Sequence, residues 1–367
     1  CRMWCAYPEI NDIGMTAVRH PDSGEIGFSL RVAGGLSTNP HLAVRLNAFV
    51  HWNQVLPVVK GITEIFRDSD CLRQDREKAR LKFLFLTHRW TAERFQEELE
   101  RRIEFDLLSA VGEEPPDDVY RDHVGIHPQK QEGYYYVGIA VMRGRMTADQ
   151  MRVIADLADR YGSGEVRVTV MQNLLILNVR RAHLQALAKE IEQAGMRLHA
   201  SPFWRGTVAC TGTEFCKLAF TETKGFARWL VEELEERMPG FEQHLKLHIT
   251  GCPNSCGQHW IADIGIEGKK TKVNGRMEDA YYFCLGGAVG KHQAIARPIG
   301  YRIQASEVPD AIQRLLEAYL AERLDGENFR QFCANHSDPE LRALLAGEQV
   351  AAVARDPSPG RPPRGVG

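Results

Sequence analysis

The sequence predicts an α+β fold built by internal duplication, and two observations support this prediction. The first is a motif that occurs twice: CRMWCAYPEINDIG opens the chain, and CPNSCGQHWIADIG follows from residue 252. The second is a stretch from residue 134 in which apolar periods of two and of about 3.6 residues alternate, as they do in strands and helices. A repeat is considered first because overlooking it would misassign the whole fold.

The repeat extends beyond this motif. The cysteine pair and the Asp-Ile-Gly triplet lie 251 positions apart in the two copies. Later segments also correspond, FSLRVAGGLS at 28–37 with YFCLGGAVG at 282–290 and VLPVVKGI at 55–62 with EVPDAIQRL at 307–315. A unit of this length would place the first copy of residues 134–250 upstream of Cys1. We therefore expect the sequence to lack roughly the first 120 residues of the repeat pair.

A strand-and-helix alternation of six segments begins at residue 134. YYYVGIAVM predicts a strand, and TADQMRVIADLADRYG predicts a helix that begins after an N-capping Thr147 and stops at Gly162. EVRVTV and LLILNV then predict two strands, AHLQALAKEIEQAG at 182–195 predicts a second helix, and MRLHAS predicts a last strand. The order βαββαβ is that of a ferredoxin-like unit.

Two cysteine loops follow this unit. ACTGTEFC holds Cys210 and Cys216. After the predicted helix KGFARWLVEELEERM, the predicted strand HLKLHIT leads into the loop with Cys252 and Cys256. Loops at strand ends, backed by helices, are suited to binding a cofactor.

The chain divides into four parts on this basis. Residues 1–120 form the α/β domain of the first repeat, 121–200 the ferredoxin-like half-domain, 201–349 the domain with both cysteine loops, and 350–367 a tail. The tail contains Pro, Gly and Arg without an apolar period, so we expect it to be disordered.

Composition limits the possible functions. Lys plus Arg is 46 and Asp plus Glu is 48, which gives no support to nucleic-acid or membrane-surface binding. No run of 18 apolar residues occurs and the first ten residues lack the features of a signal peptide. We therefore expect a cytoplasmic protein that has no nucleic-acid or membrane partner. We also expect it to be a monomer. In a reducing compartment the nine cysteines indicate metal binding or catalysis before disulfides.

The cysteine spacing leaves three interpretations. The pairs read C-x5-C and C-x3-C, and the first is wider than the usual pattern of structural zinc sites. An iron–sulfur cluster takes four thiolates from wider loops. Buried apolar cysteines are common singly, but two pairs flanked by Gly and Pro suit that interpretation poorly.

A family resemblance favours the cluster. CTGTEFC followed by TGCPNSCGQHWIADIG resembles the signature of the nitrite and sulfite reductase family, which couples siroheme to a four-iron four-sulfur cluster. The resemblance extends to GIHPQKQEG at 125–133, YGSGEVRVTVMQNLLI at 161–176, FCLGGAVG at 283–290 and LRVAGG at 30–35. It implies an internally duplicated nitrite/sulfite reductase fold, with a ferredoxin-like βαββαβ half-domain and two larger α/β domains.

The resemblance also implies roles for the cysteines. The thiolates of Cys210, Cys216, Cys252 and Cys256 would bind the 4Fe-4S cluster, and Cys256 would also be the axial ligand of the siroheme iron. The first-repeat domain would lack cluster ligands, because Cys1 and Cys5 have no C-x5-C partner in their copy and are expected to be relics. The remaining single cysteines are expected to be core thiols: Cys71, Cys284 and Cys333.

Siroheme carries eight carboxylates, and burying them requires cations and hydrogen-bond donors. The candidates from the apolar strand pair are Arg167, Thr169, Gln172 and Asn173. Further candidates are the alternating Lys78, Arg80 and Lys82, although a strand face exposed to solvent would explain them as well. Gly286 and Gly287 would allow the backbone to approach the cofactor closely, although a turn would also explain them. His127, Gln129 and Lys130 are also candidates to line the siroheme region. An ordinary loop would explain these three residues nearly as well.

The function that the resemblance implies is the six-electron reduction of nitrite to ammonia, with ferredoxin or a similar one-electron donor as partner and a small inorganic anion as substrate. Sulfite reduction to sulfide is the alternative, and CPNSC favours nitrite. An alternative of another class is a cluster-bearing electron carrier or sensor without haem. The substrate-binding cations of the family are expected upstream of Cys1. No catalytic residue is therefore assigned, and this chain alone is expected to be inactive.

Overall fold

Three β-sheets organise the described part of the chain, which comprises residues 6–113 and 122–348 of the computed structural model. The strands are β1 Ile13–Arg19, β2 Ile26–Val32, β3 Val44–His51, β4 Gly125–Pro128, β5 Tyr134–Ile139, β6 Val166–Val168, β7 Leu174–Arg180, β8 Thr207–Ala209, β9 Leu247–Thr250, β10 Ile264–Val273, β11 Arg276–Leu285 and β12 Arg297–Gln304. The helices are α1 Val55–Asp68, α2 Phe83–Leu86, α3 Ala92–Ile103, α4 Ala148–Tyr161, α5 Leu184–Gln193, α6 Pro202–Gly206, α7 Lys224–Arg237, α8 Val308–Glu322, α9 Phe329–Ala334 and α10 Asp338–Ala346. Across these ranges we find no helix with the length and apolarity that a membrane span needs. Cys1, Cys5 and the predicted tail at 350–367 lie outside the described residues.

The duplication is visible in the order of elements. β1, β2 and β3 form an antiparallel sheet followed by α1. β10, β11 and β12 are likewise antiparallel and followed by α8. In both copies a 3-10 turn with a capping box joins the last strand to the helix, with His51 at its N-cap in the first copy and Gln304 in the second. The repeated sequence therefore encodes a repeated β-β-β-α unit.

The second copy is extended by two strands into a five-stranded sheet. Its order is β12-β11-β10-β9-β8, and β8, β9 and β10 run parallel. All residues of β9 are buried, as expected for a parallel strand covered on both faces. Helices α7 and α8 contribute Leu230, Leu234 and Leu315 to the core against this sheet. Because burying each leucine stabilises the fold by ~1.5–3 kcal/mol, the sheet gives firm support to the loops at the ends of its strands.

The half-domain is a four-stranded sheet of order β4-β5-β7-β6, packed against α4 and α5. Helix α4 begins as predicted, since the Thr147 side chain accepts a hydrogen bond from the Gln150 backbone N–H and the Gln150 side chain completes the capping box. The helix ends before Gly162. Local capping chemistry therefore sets both ends of this helix.

The predicted last strand of the half-domain, MRLHAS, is wrong. Within this segment, only Arg197 makes a strand bridge, to Ala140 just after β5. The physical reason is that β4, which the sequence did not predict, pairs along β5 from Tyr135 to Gly138. It occupies the edge that the last strand would need, and the unit reads ββαββα.

A small apolar cluster joins the three parts of the molecule. Tyr7, Leu36, Ile261 and Val289 are buried together. They come from the segment before β1, the loop after β2, the turn before β10 and the loop after β11. The Tyr7 hydroxyl also lies 3.5 Å from Met171 Sδ of the half-domain. Both copies of the repeat and the half-domain therefore meet at this cluster.

Candidate functional site

The two cysteine loops leave the same edge of the large sheet. Cys210 directly follows β8, and Cys252 follows β9 after Gly251. The two strands are parallel, with Ala209 paired to Ile249. Because parallel strands end at the same edge of a sheet, both loops begin side by side. The Cys210 N–H donates to the Ile249 carbonyl at 3.0 Å and continues the ladder up to the first cysteine.

The loop between Cys210 and Cys216 is held in shape by its backbone. A 3-10 turn covers Gly212–Glu214, and the Cys216 N–H donates to the Gly212 carbonyl at 2.9 Å. Gly212 has φ +64, and a Cβ there would lie 2.6 Å from the Thr223 nitrogen. Glycine at this position therefore satisfies both the left-handed backbone and the close approach to Thr223.

The second loop turns tightly around Cys256. Ser255 and Gln258 have φ of 59 and 58, a conformation that residues with a Cβ rarely adopt. Gly257 lies between them, and a Cβ there would lie 2.2 Å from the Ile249 carbonyl oxygen. The turn buries Cys252 and exposes Cys256, while Cys210 and Cys216 are half-buried.

Electrostatic effects show that the four thiols lie near one another. Burial raises the pKa of Cys256, and Cys210, Cys252 and Cys216 raise it further. Burial also raises the pKa of Cys252, and Cys210 and Cys216 act in the same direction. Since Cys210 and Cys216 act on both thiols of the second loop, the four side chains converge on one region between the two loops. Metal binding would remove their protons.

The four thiols are not grouped as the ligands of one metal ion. Within residues 6–113 and 122–348, no group of three or more His, Cys, Asp or Glu side chains is placed to hold one metal ion. A four-iron cluster is larger and takes its thiolates from a wider ring. The Gly251 N–H already donates to Cys210 Sγ at 3.2 Å, and such donors stabilise thiolate sulfur in cluster sites.

Thr223 holds Cys210 in place through its side-chain hydroxyl. Its hydroxyl donates to the Cys210 carbonyl at 2.6 Å and lies 3.7 Å from Cys210 Sγ. Thr223 is fully buried and is the N-cap residue of α7. Sequence reasoning missed this residue, because a threonine at a helix start is ordinary capping chemistry.

The strand pair of the half-domain reaches the same cysteine. Gln172 donates from Nε2 to the Ala209 carbonyl at 3.0 Å and accepts from the Ala209 N–H at 3.3 Å. Its Oε1 also accepts from the ammonium of Lys224 at 3.1 Å. Gln172 therefore clamps the residue before Cys210, which links the half-domain to the cysteine loops.

The other candidates from this strand pair are placed differently. Asn173 is buried, and its Oδ1 accepts the Val141 N–H at 2.8 Å, whereas its Nδ2 has no hydrogen-bond partner among the described residues. Thr169 Oγ1 accepts the Asn173 N–H at 3.1 Å and closes the turn. Arg167 lies on β6, whose three residues are all exposed. The expectation that Arg167 sits inside an apolar strand pair is wrong, because β6 is an edge strand open to solvent.

The EKARLKF segment is not a strand. Arg76–Lys78 form a 3-10 turn, and α2 begins at Phe83. Lys78 is exposed and pairs with Asp75 at 3.5 Å, and Arg80 is exposed and pairs with Asp12 at 3.0 Å. Lys82 is buried, and its ammonium donates to the carbonyls of Leu36 and Asn39. Each of these three cations thus has a partner within the first-repeat domain.

The remaining candidates also contact protein groups. Gly286 has φ +79, and Gly287 packs so closely that a Cβ would lie 2.5 Å from the Trp260 carbonyl oxygen. His127 Nε2 lies 2.8 Å from the Val124 carbonyl oxygen. Gln129 Nε2 donates to Asn178 Oδ1 at 2.8 Å. Lys130, the third member of the HPQKQ group, is exposed.

Two of the three single cysteines are core thiols as expected. Cys284 and Cys333 are buried, and burial raises the pKa of Cys284 to about 12. Cys71 is only partly buried and packs at the edge of the first-repeat core. Cys71 therefore contacts the core from its edge, whereas its neighbour Leu72 in the same 3-10 turn is buried.

Two related β-β-β-α units, a half-domain between them and four converging thiols define a duplicated α+β protein with a cysteine-rich centre. The chain belongs to the nitrite and sulphite reductase family. The family described as “Nitrite and sulphite reductase 4Fe-4S domain” matches residues 1–107 and 201–349. The “Nitrite/Sulfite reductase ferredoxin-like half domain” matches residues 127–194. The resemblance and the fold class predicted from the sequence are thereby confirmed.

Relatives in this family carry two activities in their names. The chain is 40% identical over 352 residues to the assimilatory ferredoxin-dependent nitrite reductase of Haloferax mediterranei, with 90% of this chain and 59% of the relative covered. It is 37% identical over 341 residues to a ferredoxin sulfite reductase of Mycobacterium tuberculosis, with 91% and 60% covered. The structure of the Mycobacterium tuberculosis NirA protein superposes with a TM-score of 0.85 at 36% identity, covering 91% of this chain and 61% of that one. The chain thus spans about 60% of the length of these relatives.

Proposed function

We propose that this chain binds a 4Fe-4S cluster through Cys210, Cys216, Cys252 and Cys256 and forms part of an enzyme that reduces nitrite to ammonia at siroheme. The observation that carries the proposal is the convergence of four thiols at one edge of the large sheet. Two of them follow adjacent parallel strands, and the pKa of Cys256 responds to the other three. Four thiolates from two loops are the ligand set of such clusters.

The exposure of Cys256 supports its proposed second role as axial ligand of siroheme. It is the exposed member of the four, while Cys252 is buried. A thiolate shared by two metals must remain open on one side. When bound, siroheme would supply the redox chemistry at the substrate, and the cluster would supply single electrons.

Contacts to the siroheme carboxylates are proposed from the half-domain turn. The orphaned Asn173 Nδ2 is a buried donor that a bound acceptor would satisfy. Arg167 on the exposed β6 is a cation open to solvent, and Thr169 and Gln172 frame the turn between them. The proposal of siroheme contacts has less support at five other positions, because their residues already contact groups of the protein. These positions are Lys78, Arg80, Lys82, Gly286 and Gly287.

Nitrite is proposed as the substrate and sulfite as the second candidate. The nitrite reductases of Haloferax mediterranei and Zea mays are 40% and 41% identical to this chain, and that of Synechococcus elongatus is 36% identical. The ferredoxin sulfite reductases of Mycolicibacterium paratuberculosis and Mycobacterium tuberculosis are 36% and 37% identical. Both groups have ferredoxin in their names, which supports ferredoxin as the electron donor. A cytoplasmic location is proposed from the cysteine usage.

Cofactor content of the purified chain and of two cysteine variants tests the cluster assignment. The chain is purified anaerobically with iron and siroheme available, and iron, acid-labile sulfide and the optical spectrum are measured. Cys256→Ser should lose cluster and siroheme together, because a hydroxyl is a poor replacement for a soft thiolate. Cys5→Ser, at the matching position of the first copy, should keep both near the parent level.

Three other outcomes would change the assignment. Loss of the cluster in Cys5→Ser with retention in Cys256→Ser would place it on the other copy. A parent with cluster absorption and no siroheme spectrum would favour the electron carrier or sensor. A colourless parent that binds zinc would replace the cluster by a structural zinc site.

A further inference from the structure

A chain of buried polar side chains lies directly behind the Cys256 turn. Ser255 Oγ lies 2.9 Å from His259 Nδ1, and His259 Nε2 lies 3.4 Å from the Glu267 carboxylate. Glu267 also pairs with Lys269. Ser255, His259 and Glu267 are 3%, 0% and 6% exposed. Burying polar groups costs free energy unless they are paired, so this chain needs an explanation.

The strand behind the turn is shaped to admit His259. Gly265 lies on β10, and a Cβ at this position would lie 2.1 Å from the His259 carbonyl oxygen and 3.0 Å from the His259 Cβ. Any larger residue at 265 would push the histidine away from the strand. The short turn that carries His259 therefore packs directly on β10, next to Glu267 on the same strand.

The Glu267 carboxylate lies 3.4 Å from His259 Nε2, near this nitrogen but outside hydrogen-bond geometry. Burial alone would raise the pKa of Glu267, but the contacts with His259 and Lys269 lower it below its usual value, so the group is ionised at neutral pH. A carboxylate beside Nε2 favours the proton on that nitrogen. Nδ1 is then left to accept a hydrogen bond from the Ser255 hydroxyl.

Ser255 is the residue that makes the turn before Cys256. Its φ of 59 is left-handed, a region that a residue with a Cβ occupies only when its surroundings hold it there. The backbone closes on this residue, because the Gln258 N–H donates to the Ser255 carbonyl at 2.8 Å. Fixing the Ser255 side chain therefore fixes the direction in which Cys256 points.

We propose that His259 is a positioning residue that, through Ser255, holds the turn presenting Cys256 to its metals. The proposal rests on the function proposed above for Cys256. The three side chains resemble the order of a serine nucleophile and its base, but a serine that is 3% exposed has no room for a substrate. The chain therefore acts on the backbone of the turn and takes no part in bond making.

Two isosteric variants separate the two contacts of the imidazole. In His259→Asn the side-chain amide occupies the place of Nδ1 and keeps the Ser255 contact, whereas in His259→Gln it reaches toward Glu267 and loses Ser255. Hydrogen exchange of residues 252–258 in the metal-free chain should be about tenfold faster in His259→Gln and near the parent rate in His259→Asn. His336→Gln is the control, because His336, between α9 and α10, is also a buried histidine with a glutamate carboxylate 3.8 Å from its Nε2.

The loaded chain gives a second readout. His259→Gln should shift the ratio of oxidised to reduced cluster at a fixed potential by about tenfold, equivalent to ~59 mV for a one-electron couple, with His259→Asn close to the parent. If the parent takes up no cluster, the proposed function fails, while the exchange rates still decide the role of His259.

A double substitution tests whether His259 acts through Ser255. Glycine adopts the left-handed conformation without strain, so Ser255→Gly should make the turn independent of His259. In that background, His259→Gln should cause no further change in exchange. An equal effect in both backgrounds, or His259→Asn behaving like His259→Gln, would overturn the proposal.

Discussion

Lys82 shows how tertiary contacts decide the state of a single charge. Its side chain is 2% exposed, and its ammonium donates to the Leu36 and Asn39 carbonyls. Burial, with a smaller contribution from the neighbouring Arg80, lowers the pKa of Lys82 to about 8. The lysine therefore stays charged at neutral pH at a cost in desolvation, which the two carbonyls partly offset.

The stability that Lys82 contributes should depend on alkaline pH. The unfolded chain keeps the proton up to the ordinary lysine pKa, whereas the folded chain releases it near pH 8, so the unfolded state binds more protons between these values. Stability therefore rises with pH in this window. The free energy of unfolding of the parent should gain ~1–3 kcal/mol relative to Lys82→Met between pH 7.5 and pH 10. Urea unfolding of both proteins at the two pH values measures this, and a constant difference would contradict it.

At the scale of elements, strand β10 supports both cysteine loops through a glycine. A Cβ on Gly268 would lie 2.1 Å from Thr221 Oγ1 and 3.0 Å from the Gly251 carbonyl oxygen. Thr221 is 1% exposed and belongs to the segment after Cys216. Gly251 donates its N–H to Cys210 Sγ. Both loops therefore pack on the strand at this one position.

Gly268→Ala should force the cysteine loops away from β10. The expected loss is ~1–3 kcal/mol in the free energy of unfolding, as for overpacked cores, together with weaker cluster uptake. Gly240→Ala is the matched control, since nothing lies within 4 Å of a Cβ there and φ is not in the left-handed region. Denaturant unfolding and iron content of both variants check the prediction, which fails if Gly268→Ala is as stable as Gly240→Ala.

At the scale of the whole molecule, the Tyr7 cluster joins parts that each have their own core. The first-repeat domain, the half-domain and the cysteine-bearing domain have separate buried clusters. Tyr7, Leu36, Ile261 and Val289 connect them, and the Trp260 indole N–H adds a hydrogen bond to the Ser37 carbonyl at 2.9 Å. Together with polar contacts such as those of Gln172 with Ala209 and of Gly290 with Glu9, they hold the domains together as one cooperative unit.

Tyr7→Ala should therefore separate the unfolding of the domains. Removing a buried aromatic side chain costs ~3–5 kcal/mol, and here the loss falls on the junction. Calorimetry should show two transitions in place of one. Tyr319→Ala, a buried tyrosine within the core of the cysteine-bearing domain, should lower the midpoint of that domain without weakening the junction. A single transition in Tyr7→Ala would show that other contacts couple the domains.

The sequence determined what depends on residues close together in the chain. The helix start at Thr147 follows from a cap and a box within four residues, and the repeated motif predicted a repeated unit that the structure contains as β1–β3 with α1 and β10–β12 with α8. The cysteine spacing likewise indicated a metal site in two loops. The cap and the cysteine spacing are local patterns, and the repeat is found by comparing two stretches of sequence, so no knowledge of packing was needed.

The tertiary structure decided which strand edges are already paired and which charged side chains already have partners within the protein. β4 occupies the edge of β5 that the last predicted strand required. Lys82 resembles a cofactor-binding cation in the sequence, yet it binds carbonyls more than forty positions away. His259 gave no signal, because its importance depends on Glu267 on a neighbouring strand and on the left-handed turn at Ser255. Burial and pairing depend on groups that are distant in sequence, and only the folded chain brings these groups together.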